Sequence, residues 1–234
     1  MITHPRRDQA LAVCLAALAG YVDAIAFVEL GGFFVSFMSG NSTRLAVGLA
    51  HSSPSAMIAT SLIVTFVVGV AAGSLAGHQA KSYRRVAVLL LVAVMLAAAA
   101  VFGMVGARAA AIAAMALAMG AENAVFEQDG EVRIGVTYMT GTLVKLGQKL
   151  AAALHGGDRF GWLSYLMLWL GLVAGAVAGA CVYTYEGLGA LWFAAAAAML
   201  ISAIAADTPP GVSPTWRRAV CELLQRWLRY RSFR

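Results

Sequence analysis

The sequence predicts an all-α integral membrane protein: an internal inverted repeat of six spanning helices, with two re-entrant half-helix segments. Three observations carry this: apolar runs of membrane-spanning length, a duplicated set of motifs, and a charge distribution that favours one topology. Of 234 residues, 61% are hydrophobic and 12% charged, with mean hydropathy +0.79, whereas soluble domains carry about 25% charged residues. A helix needs roughly 20 apolar residues to cross a bilayer. Runs 10–28, 55–77, 86–106, 108–126, 161–184 and 187–206 each approach that length. Segments 33–50 and 134–155 are also long enough, but their middles are polar.

In chain order, residues 1–9 read as a cytoplasmic N-terminus, 10–106 as a first membrane repeat and 107–206 as a second. Arg6 and Arg7 before an apolar run have the form of a signal peptide. That reading is disfavoured because residues 15–50 have a counterpart later in the chain. Residues 207–234 begin with a break at Pro209, Pro210 and Pro214, after which six arginines follow, with Trp216, Val220, Leu223, Leu224 and Trp227 at helical spacing. Such a basic amphipathic tail suits anionic lipid at the cytoplasmic surface rather than nucleic acid. Cys14, Cys181 and Cys221 have no metal or redox spacing.

The repeat is legible in its motifs. "GYVDA" at 20–24 matches "GAENA" at 120–124, which sets Asp23 opposite Asn123. Met38-Ser39-Gly40-Asn41 matches Met139-Thr140-Gly141-Thr142, and in that register Arg44 falls on Lys145. Gly69, Gly73 and Gly77 match Gly171, Gly175 and Gly179. These glycine ladders are small-xxx-small patterns that let helices pack closely, either between the repeats or across a homodimer.

The stretches "GYVDAIAFVELGGFFVSFMSGNSTRLAVGLA" and "MGAENAVFEQDGEVRIGVTYMTGTLVKLGQKLA" resemble the YoaK family of bacterial multi-pass membrane proteins. The resemblance runs from residue 10 to 206. It implies a bacterial inner-membrane location and supplies no substrate. The first motif reads Ser-Gly-Asn where the family pattern leads one to expect Thr-Gly-Asn.

Lys and Arg in short loops favour the cytoplasm. Setting aside Arg44, Lys145 and Lys149 inside the polar segments, 14 cations remain. If all eight segments span, with the N-terminus inside, 10 of these lie inside; if 33–50 and 134–155 turn back, 13 do. The second arrangement puts both termini in the cytoplasm, inverts the second repeat, and brings the two polar segments to the midplane from opposite faces. Inverted repeats with broken helices at mid-membrane are a recurrent transporter architecture.

On this reading, Ser39, Gly40, Asn41 and Arg44 meet Thr140, Gly141, Thr142 and Lys145 in one solute site. The Ser, Thr and Asn side chains are expected to cap the half-helix N-termini, whose dipoles attract anions. Asp23, Glu122 and Asn123 would support the site or couple transport to a proton or cation. Asp23 is the natural partner of Arg44 and Glu122 that of Lys145, as structural or as working pairs. Ser, Thr and Gly in ordinary spanning helices remain the plainer alternative. No hydrolase, metalloprotease or phosphate-loop motif occurs, so neither an enzyme, nor a cofactor, nor a metal is expected. The expected function is secondary transport of a small polar or anionic solute. A passive channel on the same site and a non-transporting scaffold with a lipid- or partner-binding tail are the alternatives.

Overall fold

A computed structural model of the chain describes residues 6–128, 131–132 and 135–206; the amphipathic tail expected at 207–234 lies outside them. The described residues form α1 (Arg6–Glu29), α2 (Met38–Ala50), α3 (Ser55–Ala80), α4 (Arg84–Met104), α5 (Arg108–Glu122), α6 (Met139–Leu154), α7 (Leu163–Glu186) and α8 (Leu191–Ala206). Short 3-10 turns link α3 to α4, extend α5 through Asn123–Phe126, and precede α8 at Gly187–Ala190. Two-residue strands β1 (Glu127–Gln128) and β2 (Glu131–Val132) pair antiparallel.

Every apolar run of the sequence is therefore helical. The polar segments differ from the others, because each enters as non-helical chain and becomes a helix only partway. Residues 30–37 hold no helix before α2, and Gly31 and Gly32 turn the chain out of α1 with φ of +62° and +106°. Four stretches are long and apolar enough to cross a membrane: Arg7–Glu29, Ser55–Met104, Arg108–Phe126 and Leu163–Ala206. The second and fourth each hold two helices.

The two sequence copies exchange partners. Helix α1 packs along α7, α3 along α5, and α4 along α8 and α5. Glycines carry the first two contacts. A Cβ at Gly175 or Gly179 would overlap the carbonyl of Ala17 or Tyr21, and one at Gly69 or Gly73 would overlap Leu117 or Ala121. Gly171 faces Val13, whereas Gly77 lies against the Arg84 side chain. Gly20 and Gly120 answer from the other side, against Leu172 and Phe66. In the absence of a hydrophobic drive between helices in lipid, this backbone-to-backbone approach supplies the packing.

Helix α5 is the most enclosed of these apolar stretches, followed by α1. Their core joins Val22 and Ile25 to Met115, Met119, Leu96 and Leu191. The outer helices turn Val64, Val67, Leu75, Phe102, Val177, Phe193 and Leu200 outward, as lipid contact requires.

Ion pairs mark the two ends of the bundle. At one end, Arg85 meets Asp8 at 2.6 Å and Arg84 meets Glu127 at 2.7 Å. Ser74 also donates to Glu127. The Glu127 side chain is accordingly only 17% exposed. At the other end, Arg108 approaches Glu29 at 3.4 Å, and the Tyr183 hydroxyl donates to the same carboxylate.

Candidate functional site

The starts of α2 and α6 meet at one cavity of about 280 Å³. Ser36, Phe37, Met38 and Ser39 line it from the first copy, and Thr137, Tyr138, Met139, Thr140 and Gly141 from the second. Phe66, near the middle of α3, closes one wall. The first N–H groups of a helix lack intrahelical acceptors. Here Met38 and Met139 donate to Ser36 and Thr137, and Asn41 and Thr142 make the first full-turn bonds, to Phe37 and Tyr138. The Ser39, Gly40, Thr140 and Gly141 N–H groups remain at the cavity end of the two helices.

The expected caps are not formed. Phe37 and Tyr138 occupy the N-cap positions, and neither helix has a side-chain cap hydrogen bond. The hydroxyls of Ser42 and Thr43 instead bond back to the carbonyls of Met38 and Ser39, a habit of these residues inside helices. Asn41, fully buried, works on the incoming chain. Its amide donates to the Phe34 carbonyl at 2.6 Å and its oxygen accepts the Phe34 N–H at 3.1 Å. Thr142, at the matching place in α6, is also buried. Gly40 lies beneath the rings of Phe34 and Phe37.

The two bends are held alike. Asp23 accepts hydrogen bonds from the N–H groups of Val35 and Ser36, both at 2.8 Å, and from the Ser36 hydroxyl at 2.5 Å. Thr137 donates to the side-chain oxygen of Asn123 at 3.1 Å, while the Asn123 amide donates to Met119. Ser36 and Thr137 stand two residues before Met38 and Met139. Sequence reasoning missed both, although the methionine register contained them.

The cations lie elsewhere. Arg44 falls in the second turn of α2, not the first, with its guanidinium 4.7 Å from the centre of the Phe33 ring and close to Gly32. Neither Arg44 nor the exposed Lys145 lines the cavity. The expected Asp23–Arg44 and Glu122–Lys145 pairs are not formed, and the ion pairs of the described residues are those at the bundle ends. Asp23 accepts hydrogen bonds from Val35 and Ser36 instead. Glu122 is wholly buried, and no described residue bonds either of its oxygens.

Asn123 in the second copy indicates what Asp23 tolerates. Asp23→Asn keeps the acceptor facing Val35 and Ser36 and turns a donor toward a hydroxyl that can accept. We expect a loss of about 1 kcal/mol, whereas Asp23→Leu, which strands three donors, is expected to cost about 3 kcal/mol or more. Thermal unfolding in detergent measures both.

The arrangement joins a mostly apolar chamber, two helix starts whose N–H groups at Ser39, Gly40, Thr140 and Gly141 find no acceptor among the described residues, and two polar bends. A family model described as a protein of unknown function, DUF1275, matches residues 11–204. The chain is 37% identical over 201 residues to the UPF0700 transmembrane protein RA0705 of Rhizobium meliloti (strain 1021), covering 86% of this chain and 87% of that one. No solved structure matches. A match over nearly all the helical region and this identity to a transmembrane protein make the chain a multi-pass membrane protein, and it belongs to the DUF1275 family.

Proposed function

We propose that the protein is a secondary transporter of a small polar or anionic solute, which binds in the cavity between the starts of α2 and α6. The convergence of two half-helix starts, one from each sequence copy, carries this reading. Ser39, Thr140 and Gly141 are the groups that meet the solute, through hydroxyls and backbone N–H groups. Each helix N-terminus favours a negative group by about 0.3–1 kcal/mol, and more when partly buried. With no cation among the described lining residues, affinity rests on these dipoles and on desolvation, which suits a compact solute with one acceptor-rich end. Asn41 and Thr142, with Asp23 and Asn123, hold the two helix starts in place.

The topology proposed with it is inverted. Helix α1 ends beside Arg108, and α3 ends beside Glu127, at the far end. At 26 residues, or about 39 Å, α3 is long enough to run the full distance. Residues 30–54 therefore leave and rejoin one end of the bundle. Helix α5 and its 3-10 extension end next to Glu127 and α7 ends beside Glu29, so the chain between α5 and α7 leaves and rejoins the opposite end. The proposed arrangement has six spanning helices and two re-entrant segments, in the inner membrane with both termini cytoplasmic. The positive loop at Lys81–Arg85 supports that orientation.

Proteoliposomes test the function. Uptake of a panel of small oxyanions, carboxylates and neutral polar solutes should include one that saturates and is accelerated by the same solute preloaded inside. Flux without saturation or counterflow would instead make the cavity a channel. No protein-dependent flux for any member of the panel, in either direction, would count against transport.

A further inference from the structure

We propose that Glu122 is a proton-binding site set behind the solute cavity, and that its proton is the coupling ion of the transport cycle. The coupling half of this rests on the transporter reading; the proton site does not. Glu122 closes α5, is 0% exposed, and has neither oxygen bonded by a described residue. Among the helices packed against α5, the charged group whose field reaches it is Asp23 of α1, which bears the same sign. From α4, Arg84 and Arg85 are committed to Glu127 and Asp8, and His78 of α3 is exposed.

A buried carboxylate with no cation and no donor is an arrangement that proteins avoid. The nearby acid resolves which group carries the charge. Asp23 receives three hydrogen bonds at Val35 and Ser36, which suit an anion, while Glu122 receives none from a described residue. Hard metal cations gather roughly six oxygen ligands. Glu122 offers two oxygens, and those of Asp23 are occupied. A proton needs one. Its uptake forms a single O–H bond on a Glu122 oxygen and breaks none within the protein.

The position links this event to the cavity. Asn123 follows Glu122 and accepts the hydrogen bond of Thr137, a cavity residue; Asp23 holds Ser36, the cavity residue opposite. Charging Glu122 beside Asp23 pushes the two supports apart, and neutralising it lets α1 and α5 close. The proton enters from one face, allows the closed state, and leaves on the other.

Infrared difference spectra of the full-length protein in lipid nanodiscs, between acidic and alkaline buffer, read this without any solute. The expected result is a neutral-carboxyl carbonyl band that appears on acidification, shifts in D2O, disappears in Glu122→Gln and persists in Asp23→Asn. If Glu122→Gln does not fold, Glu122→Asp must displace the band. A wild-type protein with no such band, one whose band neither titrates nor exchanges, or a band unchanged by both Glu122 substitutions would overturn the proposal. Absence of solute flux with the band intact would count against the transporter reading alone.

Discussion

Gly175→Leu is expected to abolish the folded protein. The Gly175 Cα faces the Ala17 carbonyl so closely that even a Cβ would overlap it. The obstacle is backbone, which cannot change rotamer, so α7 has to move off α1. Ordinary overpacking costs about 1–3 kcal/mol, and separating the most extensive helix contact in the bundle costs more. The glycines at 20, 171 and 179 share that contact, so its loss spreads along both helices. Size-exclusion profiles in mild detergent should lose the monodisperse peak. Gly147 is the control: it sits in α6, where a methyl group would meet no described atom within 4 Å. Gly147→Ala should leave the peak intact and gain up to about 1 kcal/mol from helix propensity.

Thr140→Trp is expected to eliminate solute flux while leaving the fold unchanged. Thr140 lies in the first turn of α6, its side chain is exposed, and it lines the cavity. An indole there fills the chamber facing Ser39 without displacing a buried group. Ser39→Trp, from the other helix, should have the same effect, because both side chains enter one chamber. Arg44→Gln is the informative contrast. Arg44 stacks on Phe33, outside the lining, so its loss should lower flux by about threefold or less, as a general field effect. A larger fall for Arg44→Gln than for Thr140→Trp would move the solute site to the α2 cation and away from the cavity.

Much of this was legible in the residues. Apolar runs gave each helix within a few residues, because a spanning helix must satisfy its own backbone and so leaves a long hydropathy signal. The repeat register sets Ser39 level with Thr140, and both line one cavity with Gly141. The roles within the site were not legible. Asn41 looked like a helix cap, but its geometry binds the extended chain at Phe34. Arg44 looked like the partner of Asp23, but two glycines in left-handed conformations bring Phe33 and Gly32 under the guanidinium instead. Side-chain direction at the start of a half-helix depends on how the preceding chain enters, and an extended segment leaves no periodic signal. The glycine ladders gave close packing but not the partner, which depends on tertiary arrangement; Gly20 and Gly120, opposite one another in the repeat, held the missing half of that contact.

The inverted topology underlies every mechanistic statement made of the cavity, and side-specific labelling tests it most directly. With Cys14, Cys181 and Cys221 replaced, single cysteines are placed at Ser82, in the turn between α3 and α4, and at Ser52, between α2 and α3. An impermeant maleimide is then applied to intact spheroplasts and again after lysis. The account predicts that Ser52→Cys labels at once and Ser82→Cys only after lysis. The reverse pattern, with Asp8→Cys also protected until lysis, would mean that the α2 segment spans, that the two half-helices do not converge from opposite faces, and that no shared solute site exists at their tips.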